Sequence, residues 1–452
     1  MCPVDQLAEY FRNSRVLVWG LGREGKSSVK FLSEVANVQE LAVMDSDSEV
    51  VKSTAESFAG SLKVVTSTEE FRNFNIILKA PGISVHKLQE KLRAQDLAKI
   101  SSQVDVFLQL FGAQTIGITG TKGKSTTASL IHHILKKCSH DAVLGGNIGV
   151  PVFELVSQCT KSSKIVLELS SHQLEFLKRG PHIALLLNLF QDHLDHYADL
   201  TTYHQAKLNA VKCQTPEDFL VYDESVEPKV RAYLEDRQPS RQLSVSGAEI
   251  EELKAKRADE ISGVDFQNAH NVVFARRTLV NILGISETAF FEHLSSFKTL
   301  EHRLEHFATL DEVEYYDDSI STIPEATILA VSALESAHKS VGTVILGGMD
   351  RGIDYAKLVE SLSTSRISHV ILLPNTGARI TQHFRELGSK TTPEIHSVQN
   401  LEEAVRLAKT ATPRKTACLL SPAAASYGTF KNFHERGVAF QQFVRAQRSS
   451  IS

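Results

Sequence analysis

Several things are missing from this 452-residue sequence, and each absence removes a class of function. Its five cysteines, Cys2, Cys138, Cys159, Cys213 and Cys418, form no Cys-x-x-Cys pair, which argues against a zinc ribbon or a disulfide framework and for a reducing compartment. No run of about 18 apolar residues is present to span a bilayer, so no membrane partner is expected. The opening MCPVDQLAEYFRNS carries acidic residues without the apolar core of a signal peptide, and a cytoplasmic location is expected. Long blocks of Lys or Arg are lacking and the formal net charge is -4, so no nucleic-acid partner is expected. Hydrophobic content of 42% and charged content of 23% suit a globular chain, and the length exceeds one ordinary core, which predicts two or three domains.

What is present is organised around residues 116–130, IGITGTKGKSTTASL. Ile116 and Ile118 end a short strand, Gly117, Gly120 and Gly123 punctuate a turn, and Lys124-Ser125-Thr126-Thr127 open an amphipathic helix. Glycines let backbone N–H groups curl round phosphate oxygens, and the helix N-terminus adds its positive dipole end. Lys124 supplies a point charge, and Ser125 or Thr126 can reach a Mg²⁺. The usual phosphate-loop spacing is not met literally, because Gly117 lies one residue early and Ile118 fills its slot. Three glycines and a lysine also occur by chance in surface loops; the strand before and the helix after favour nucleotide binding.

Earlier in the chain, RVLVW (Arg15 to Trp19) reads as a strand followed by Gly20-Leu21-Gly22-Arg23-Glu24-Gly25 and a helix through Phe31 and Leu32. A second apolar run, LAVM, ends in Asp45, 20 residues after Gly25, which is the spacing of a dinucleotide fingerprint with a carboxylate placed for a ribose hydroxyl. Taken alone it suggests NAD; the alternative is that the glycines only permit close helix–strand packing. LKVV and NIILKA continue an α/β sheet that breaks at Ala80-Pro81-Gly82. Ligands of such sheets sit outside the carboxyl ends of the strands, so residues 20–25, Asp45 and residues 80–82 are expected to line one pocket.

Past the phosphate loop, AVLGG ends at Gly145-Gly146-Asn147-Ile148-Gly149, and KIVLELSS places Glu168, Ser170 and Ser171 at the end of a buried strand, where they can serve a metal or the attacking group. HIALLLNLF leads into Gln191-Asp192-His193-Leu194-Asp195-His196-Tyr197, which is either ordinary loop polarity or a second Mg²⁺ or substrate contact. DLTTYHQAKLNAVKC is an amphipathic helix in which Lys207 would ordinarily be solvated. EVEYYDDS, VGTVILGG, HVILLP and ACLLSP are buried strands alternating with helices. The fold class expected is α/β, with a Rossmann-like first part, a second part built on the phosphate loop in which the pattern restarts from Val104, and a doubly wound tail.

In order along the chain, GLGREGKSS, APG, the phosphate loop with its extra-residue spacing, GGNIG, ELSSHQLE, DHLDHY, YHQAKL, HR, DDS, LGG and LSPAAASYGTFKNFHERG resemble the motifs of the Mur ligases, ATP-dependent amino-acid ligases of peptidoglycan precursor assembly. The last motif is similar to that of the glutamate-adding branch. The resemblance implies three α/β domains: residues 1–103, Rossmann-like and holding the UDP part of UDP-N-acetylmuramoyl-L-alanine, residues 104–299, a central P-loop ATPase with a parallel-rich sheet, and residues 300–452, again Rossmann-like and bringing glutamate to an acyl phosphate. On that basis Gly22, Arg23, Glu24, Asp45, Ala80, Pro81, Gly82, Asn147, Ser170 and Gln173 correspond to contacts with the UDP substrate. Gly120, Thr121, Lys122, Gly123, Lys124, Ser125, Thr126, Asn271, Arg303 and Asp318 correspond to ATP contacts. Glu168 and His193 correspond to metal ligands, with Ser125 offering a hydroxyl, and Lys207 matches a lysine that is carbamylated in the family. Lys124, Lys207, His193 and Glu168 form the implied catalytic set, ATP and Mg²⁺ the implied cofactors, and a monomer is expected.

The chain departs from the family pattern in three places. Phe274 stands where a second asparagine is common, Glu301 replaces the usual proline, and Ile320 replaces a lysine that helps hold the incoming glutamate. Thr322, Arg351, Ser426 and Phe433 remain as the matching glutamate contacts. D-glutamate is expected from the family, while the altered stretch DSISTIPEA leaves L-glutamate open. The competing readings are an NAD oxidoreductase, a non-enzymatic P-loop switch and a folylpolyglutamate-synthase-like ligase; the last would not carry the N-terminal fingerprint.

Overall fold

A computed structural model describes residues 1–58, 62–86, 88, 92–191, 196–235, 240–257, 269–297, 301–336, 338–388 and 393–446. The chain forms two compact units, one of Met1–Lys256 with His270–Ser296, the other of Arg257–Ala269 with Phe297–Ser452.

The first unit carries two parallel sheets. In the first, β1 (Arg15–Trp19), β2 (Glu40–Met44), β3 (Lys63–Val64), β4 (Ile76–Lys79) and β5 (Ile100–Ser101) stand in the order β3-β2-β1-β4-β5. The order reverses between β1 and β4, which opens a crevice at their carboxyl ends. The second sheet contains β6 (Thr115–Thr119), β7 (Ala142–Gly146), β8 (Lys164–Glu168), β9 (Ile183–Leu186), β10 (Phe219–Asp223) and β11 (Arg241–Val245), in the order β11-β10-β9-β6-β8-β7. The phosphate-loop strand β6 is therefore central, between β9 and β8. Its neighbours are apolar on both faces, as a sheet covered on both sides requires: Ile183, Ala184, Leu185 and Leu186 are all buried. One apolar cluster runs through both sheets, from Val16 and Val18 through Val104 and Phe107 to Ile165 and Leu167.

The helix expected from NVVFARRTLVNIL is α-helical over Ala269–Arg276 and then widens to π-type turns over Arg277–Ile282. Thr278 Oγ1 donates to the Phe274 carbonyl at 2.9 Å, a side-chain bond that competes with the helical ladder at this point.

The second unit is built on β12 (Glu305–Leu310), β13 (Val313–Asp317), β14 (Val341–Gly348), β15 (His369–Asn375), β16 (Glu394–Ser397) and β17 (Ala417–Leu420), in the order β12-β13-β17-β14-β15-β16. All neighbours are parallel except β12 and β13, so the Rossmann-like sheet gains an antiparallel edge. The hairpin turns on Asp311 and Glu312, both at positive φ (50° and 62°), a two-residue geometry that matches strand twist. Among the described residues no helix is long and apolar enough to cross a membrane.

Candidate active site

The phosphate loop bridges β6 and the helix Lys124–Lys137, as its residues predict. Gly123 caps that helix at φ +84°, and a Cβ there would lie 2.4 Å from Asn271 Oδ1, so the close approach of Asn271 to the loop requires glycine. Lys124 Nζ donates to the Thr121 carbonyl at 2.9 Å, folding back over its own loop. Thr126 is fully buried, and its hydroxyl has no hydrogen-bond partner among the described residues; Ser125 beside it is half-buried.

Two residues that sequence reasoning did not single out hold this loop. Asn188 Oδ1 accepts from the amides of Thr121 (3.0 Å) and Lys122 (2.8 Å), while Nδ2 donates to the Lys122 carbonyl at 3.1 Å. Tyr203 places its hydroxyl 3.2 Å from Thr121 Oγ1. The signal for Asn188 was available: it is the first polar residue after the apolar run IALLL, at the ligand-bearing end of a buried strand.

Lys207 corrects the expectation of a solvated helix lysine. It is 2% exposed, donates to the Gly120 carbonyl at 3.0 Å, and lies 4.7 Å from the centroid of the Tyr203 ring. The helix Leu200–Lys212 turns Tyr203, Lys207 and Val211 inward at four-residue spacing, so the lysine sits on the buried stripe.

Glu168 ends β8 opposite Ile118 and is 2% exposed. Its Oε1 accepts from Asn147 Nδ2 at 2.9 Å, whereas Oε2 is buried without a hydrogen-bond partner among the described residues. A buried carboxylate oxygen left in that state favours a cation beside it. His193 lies outside the described residues, as do Asp192 and Asp195.

At the carboxyl ends of the first sheet, Asp45 Oδ2 accepts from the Leu21 amide at 2.6 Å and Oδ1 from the Asp47 amide at 3.0 Å, so the fingerprint carboxylate braces the turn itself. Gly22 is exposed there and Ala80 is tied to β1 through its amide and the Trp19 carbonyl at 2.8 Å, with Pro81 half-buried and Gly82 exposed. Arg23 Nη2 donates to the carbonyls of Gly146 and Asn147, each at 3.2 Å, which joins the fingerprint to GGNIG. Gln173 Nε2 donates to Glu24 Oε1 at 2.6 Å, and Gln173 Oε1 accepts from the Ser170 amide at 3.0 Å. Burial pushes the Glu24 carboxyl above its ordinary range despite the bond from Gln173.

A buried ion network behind this crevice was also missed. The Lys79 ammonium is fully buried, 2.9 Å from Glu175 Oε2, and donates to the Ile83 carbonyl at 2.8 Å. Glu175 Oε1 lies 2.9 Å from His196 Nε2, and Ser84 Oγ donates to the His196 carbonyl at 2.7 Å. Burial raises the Glu175 carboxyl, but His196 and Lys79 outweigh it and hold the group below the usual glutamate range. Lys79 is the one charged residue in NIILKA, a mismatch with the apolar pattern that marks it in hindsight.

In the second unit, Asp318 is 2% exposed and accepts from Ser421 Oγ (2.7 Å) and the Leu304 amide (3.2 Å); burial lifts its carboxyl to about 6. Arg303, one residue before Leu304, is half-buried. Arg436 was not foreseen: it is buried, with Nε on Ser319 Oγ at 3.0 Å, Nη2 on the Ser319 carbonyl at 2.8 Å and Nη1 on the Ala424 carbonyl at 3.1 Å. It shares the inner face of the last helix with Phe440 and Val444 at four-residue spacing, where an arginine is out of place unless fully bonded. Beside it His302, pressed against Gly437, bonds through Nδ1 to Asp317 at 2.7 Å and through Nε2 to His434 at 2.9 Å. A cavity of about 50 Å³ at the carboxyl ends of β14 and β15 is lined by Gly348, Ser426 and Arg436 among others. Of the four expected glutamate contacts only Ser426 lines it. Arg351 lies 5.9 Å from the Tyr427 ring centroid, Thr322 is half-buried, and Phe433 is 36% exposed with its carbonyl taken by Ser319 Oγ at 2.8 Å.

Comparison with known proteins bears on both units. "Mur ligase middle domain" matches residues 118–281, and "Mur ligase, glutamate ligase domain" matches residues 302–424. A Clostridium tetani protein named UDP-N-acetylmuramoylalanine--D-glutamate ligase is 30% identical, with 98% of this chain and 98% of that protein covered. A Salinispora tropica protein named UDP-N-acetylmuramoyl-L-alanine--L-glutamate ligase is 33% identical, with 96% and 98% covered. The crystal structure of MurF from Acinetobacter baumannii shares the fold at a TM-score of 0.59 and 13% identity, covering 96% of this chain and 92% of that one. Matched in both its central and C-terminal parts and aligned with relatives over almost its whole length, this chain belongs to the Mur ligase family of amide-bond-forming ligases.

Proposed function

We propose that this protein joins glutamate to UDP-N-acetylmuramoyl-L-alanine at the expense of ATP, a step of peptidoglycan precursor synthesis. The observation that carries the reading is the phosphate loop clamped by Asn188, with Lys124 over it and the partly unsatisfied carboxylate of Glu168 at the end of the adjoining strand. A carboxylate oxygen of the alanyl terminus attacks the γ-phosphorus of ATP and ADP departs. The amine of glutamate then attacks the carbonyl carbon of the acyl phosphate, phosphate leaves, and the nitrogen loses a proton. Both steps are limited by charge and alignment, which fixed donors reduce without reorganising.

In this reading Gly120, Thr121, Lys122, Gly123, Lys124, Ser125 and Thr126 cradle the phosphates, with Asn271, Arg303 and Asp318 completing the ATP contacts. Magnesium fits the donor set, because a hard cation would satisfy Glu168 Oε2 and could take Ser125 and His193 as further ligands. When bound, that ion neutralises phosphate charge. Lys207, buried against the loop, is the proposed carbamylation site. The UDP end is assigned to residues 22–24, Asp45 and residues 80–82, and the acyl end to Asn147, Ser170 and Gln173. Thr322, Arg351, Ser426 and Phe433 are assigned to glutamate, and residues 1–103, 104–299 and 300–452 to the three functional domains of a cytoplasmic monomer.

D-glutamate is the first reading of the amino acid. L-glutamate is the second, favoured by Ile320 in place of the family lysine and by full-length relatives named for that isomer. Phosphate release and product mass, measured with ATP, Mg²⁺, UDP-N-acetylmuramoyl-L-alanine and either isomer, test the proposal. A single amide product with one isomer is expected; ATP left intact with both would overturn the assignment.

A further inference from the structure

The outer edge of the second unit's sheet holds a side-chain cluster that the ligase reading does not use. β15 and β16 run parallel with His369 opposite Glu394 and Ile371 opposite His396. Alternation along a strand sends Glu394 and His396 to the same face, and register places His369 there too. Nδ1 of His369 lies 3.2 Å from Nε2 of His396 and 3.5 Å from Glu394 Oε2, while His396 Nε2 lies 3.7 Å from Glu394 Oε1. Both imidazoles are mostly covered, at 18% and 22% side-chain exposure, so their rings are held in place by the sheet. Three ligand atoms thus converge from two paired strands, at the amino ends, opposite the edge that carries Gly348 and Ser426.

These spacings are those of one coordination sphere. Ligands bound about 2.0–2.2 Å from a tetrahedral ion stand roughly 3.3–3.6 Å from one another, and the separations here, 3.2, 3.5 and 3.7 Å, fall inside that range or just outside it on either side. We propose that His369, Glu394 and His396 bind one divalent transition-metal ion, zinc in the first instance, with water at the remaining position. Two imidazoles and a single carboxylate suit such an ion and disfavour magnesium or calcium, which require mostly oxygen ligands. The ion's role is structural. β16 is a four-residue edge strand paired only with β15, and a metal spanning the two fixes it to the sheet. The other histidine pair of this unit, His302 and His434, differs in that its inner ring is already bonded to Asp317.

The test uses the full-length protein stripped with chelator and titrated with Zn²⁺ under excess Mg²⁺, so that oxygen-rich sites stay filled. Calorimetry should show one tight site per chain, and zinc should raise Tm. His369→Ala and His396→Ala should each weaken zinc binding more than about tenfold and remove the zinc-dependent rise in Tm. Glu394→Gln, an exposed and nearly isosteric change, should weaken zinc binding in the same direction. Failure of the wild type to take up zinc, or equal uptake by wild type and the two histidine variants, would overturn the proposal. Loss of binding only on His434→Ala would assign the ion to the other cluster and equally overturn it.

Discussion

Replacing Lys79 by methionine isolates the buried ion network, because the aliphatic length is kept while the charge is removed. The side chain is fully buried, its partner Glu175 only 13% exposed, and the contact between them is 2.9 Å. Screening by solvent is therefore small, and removing Lys79 leaves the buried Glu175 carboxylate with its neighbour His196 but without its cation, a change worth up to about 3–5 kcal/mol. Loss of the 2.8 Å bond to the Ile83 carbonyl also frees the turn at Ala80-Pro81-Gly82. Urea unfolding at neutral pH should show that loss, and Glu175→Gln introduced alongside Lys79→Met should restore part of it, since the stranded charge is gone. The pH dependence follows in sign. Glu175 is held below the ordinary glutamate range, so it contributes stability above that range and loses the contribution as pH falls through its folded value. The variant should therefore lose less stability on acidification than the wild type. A loss under about 1 kcal/mol, or strictly additive double-variant energies, would refute the argument.

Lys124→Ala should remove about 3–4 kcal/mol of transition-state stabilisation, seen as a parallel fall in phosphate release and ligation; unchanged rates would exclude the loop from the chemistry. Gly123→Ala puts a Cβ 2.4 Å from Asn271 Oδ1 at φ +84°, and should raise the ATP KM while leaving binding of the UDP substrate in place, as equilibrium titration with each ligand would show. Intact mass of protein kept under CO₂ should exceed that of Lys207→Arg, after allowing for the substitution, by the mass of one CO₂; equal masses would count against carbamylation. Arg436→Met leaves the Ser319 and Ala424 carbonyls without their donor, and thermal melts should report a loss of about 3 kcal/mol from the second unit.

Strands were the most legible part of the chain, because buried parallel strands write themselves as apolar runs: RVLVW, KIVLE and VGTVILGG all fall where expected. β12 was not legible, since EHFATL alternates weakly and its hairpin depends on two non-glycine residues at positive φ. The phosphate loop could be read because its chemistry lies in consecutive residues. The partners of Asn188, Lys79 and Arg436 could not, because each pairing joins positions far apart in sequence, up to 117 residues for Arg436 and Ser319. Lys207 marks the same limit from the other side: helical periodicity puts it on the face of Tyr203, yet only the packed structure shows that face to be the buried one.

The continuous apolar cluster through the first unit makes its two sheets interdependent. A fragment ending after β5 would present Val16, Val18 and Leu78 to water without the Phe107, Ile165 and Leu167 side of the same core, and a fragment beginning there would suffer the reverse. Each part thus carries apolar surface that the other covers, so a protease cut near residue 103 should lower the stability of both sheets together.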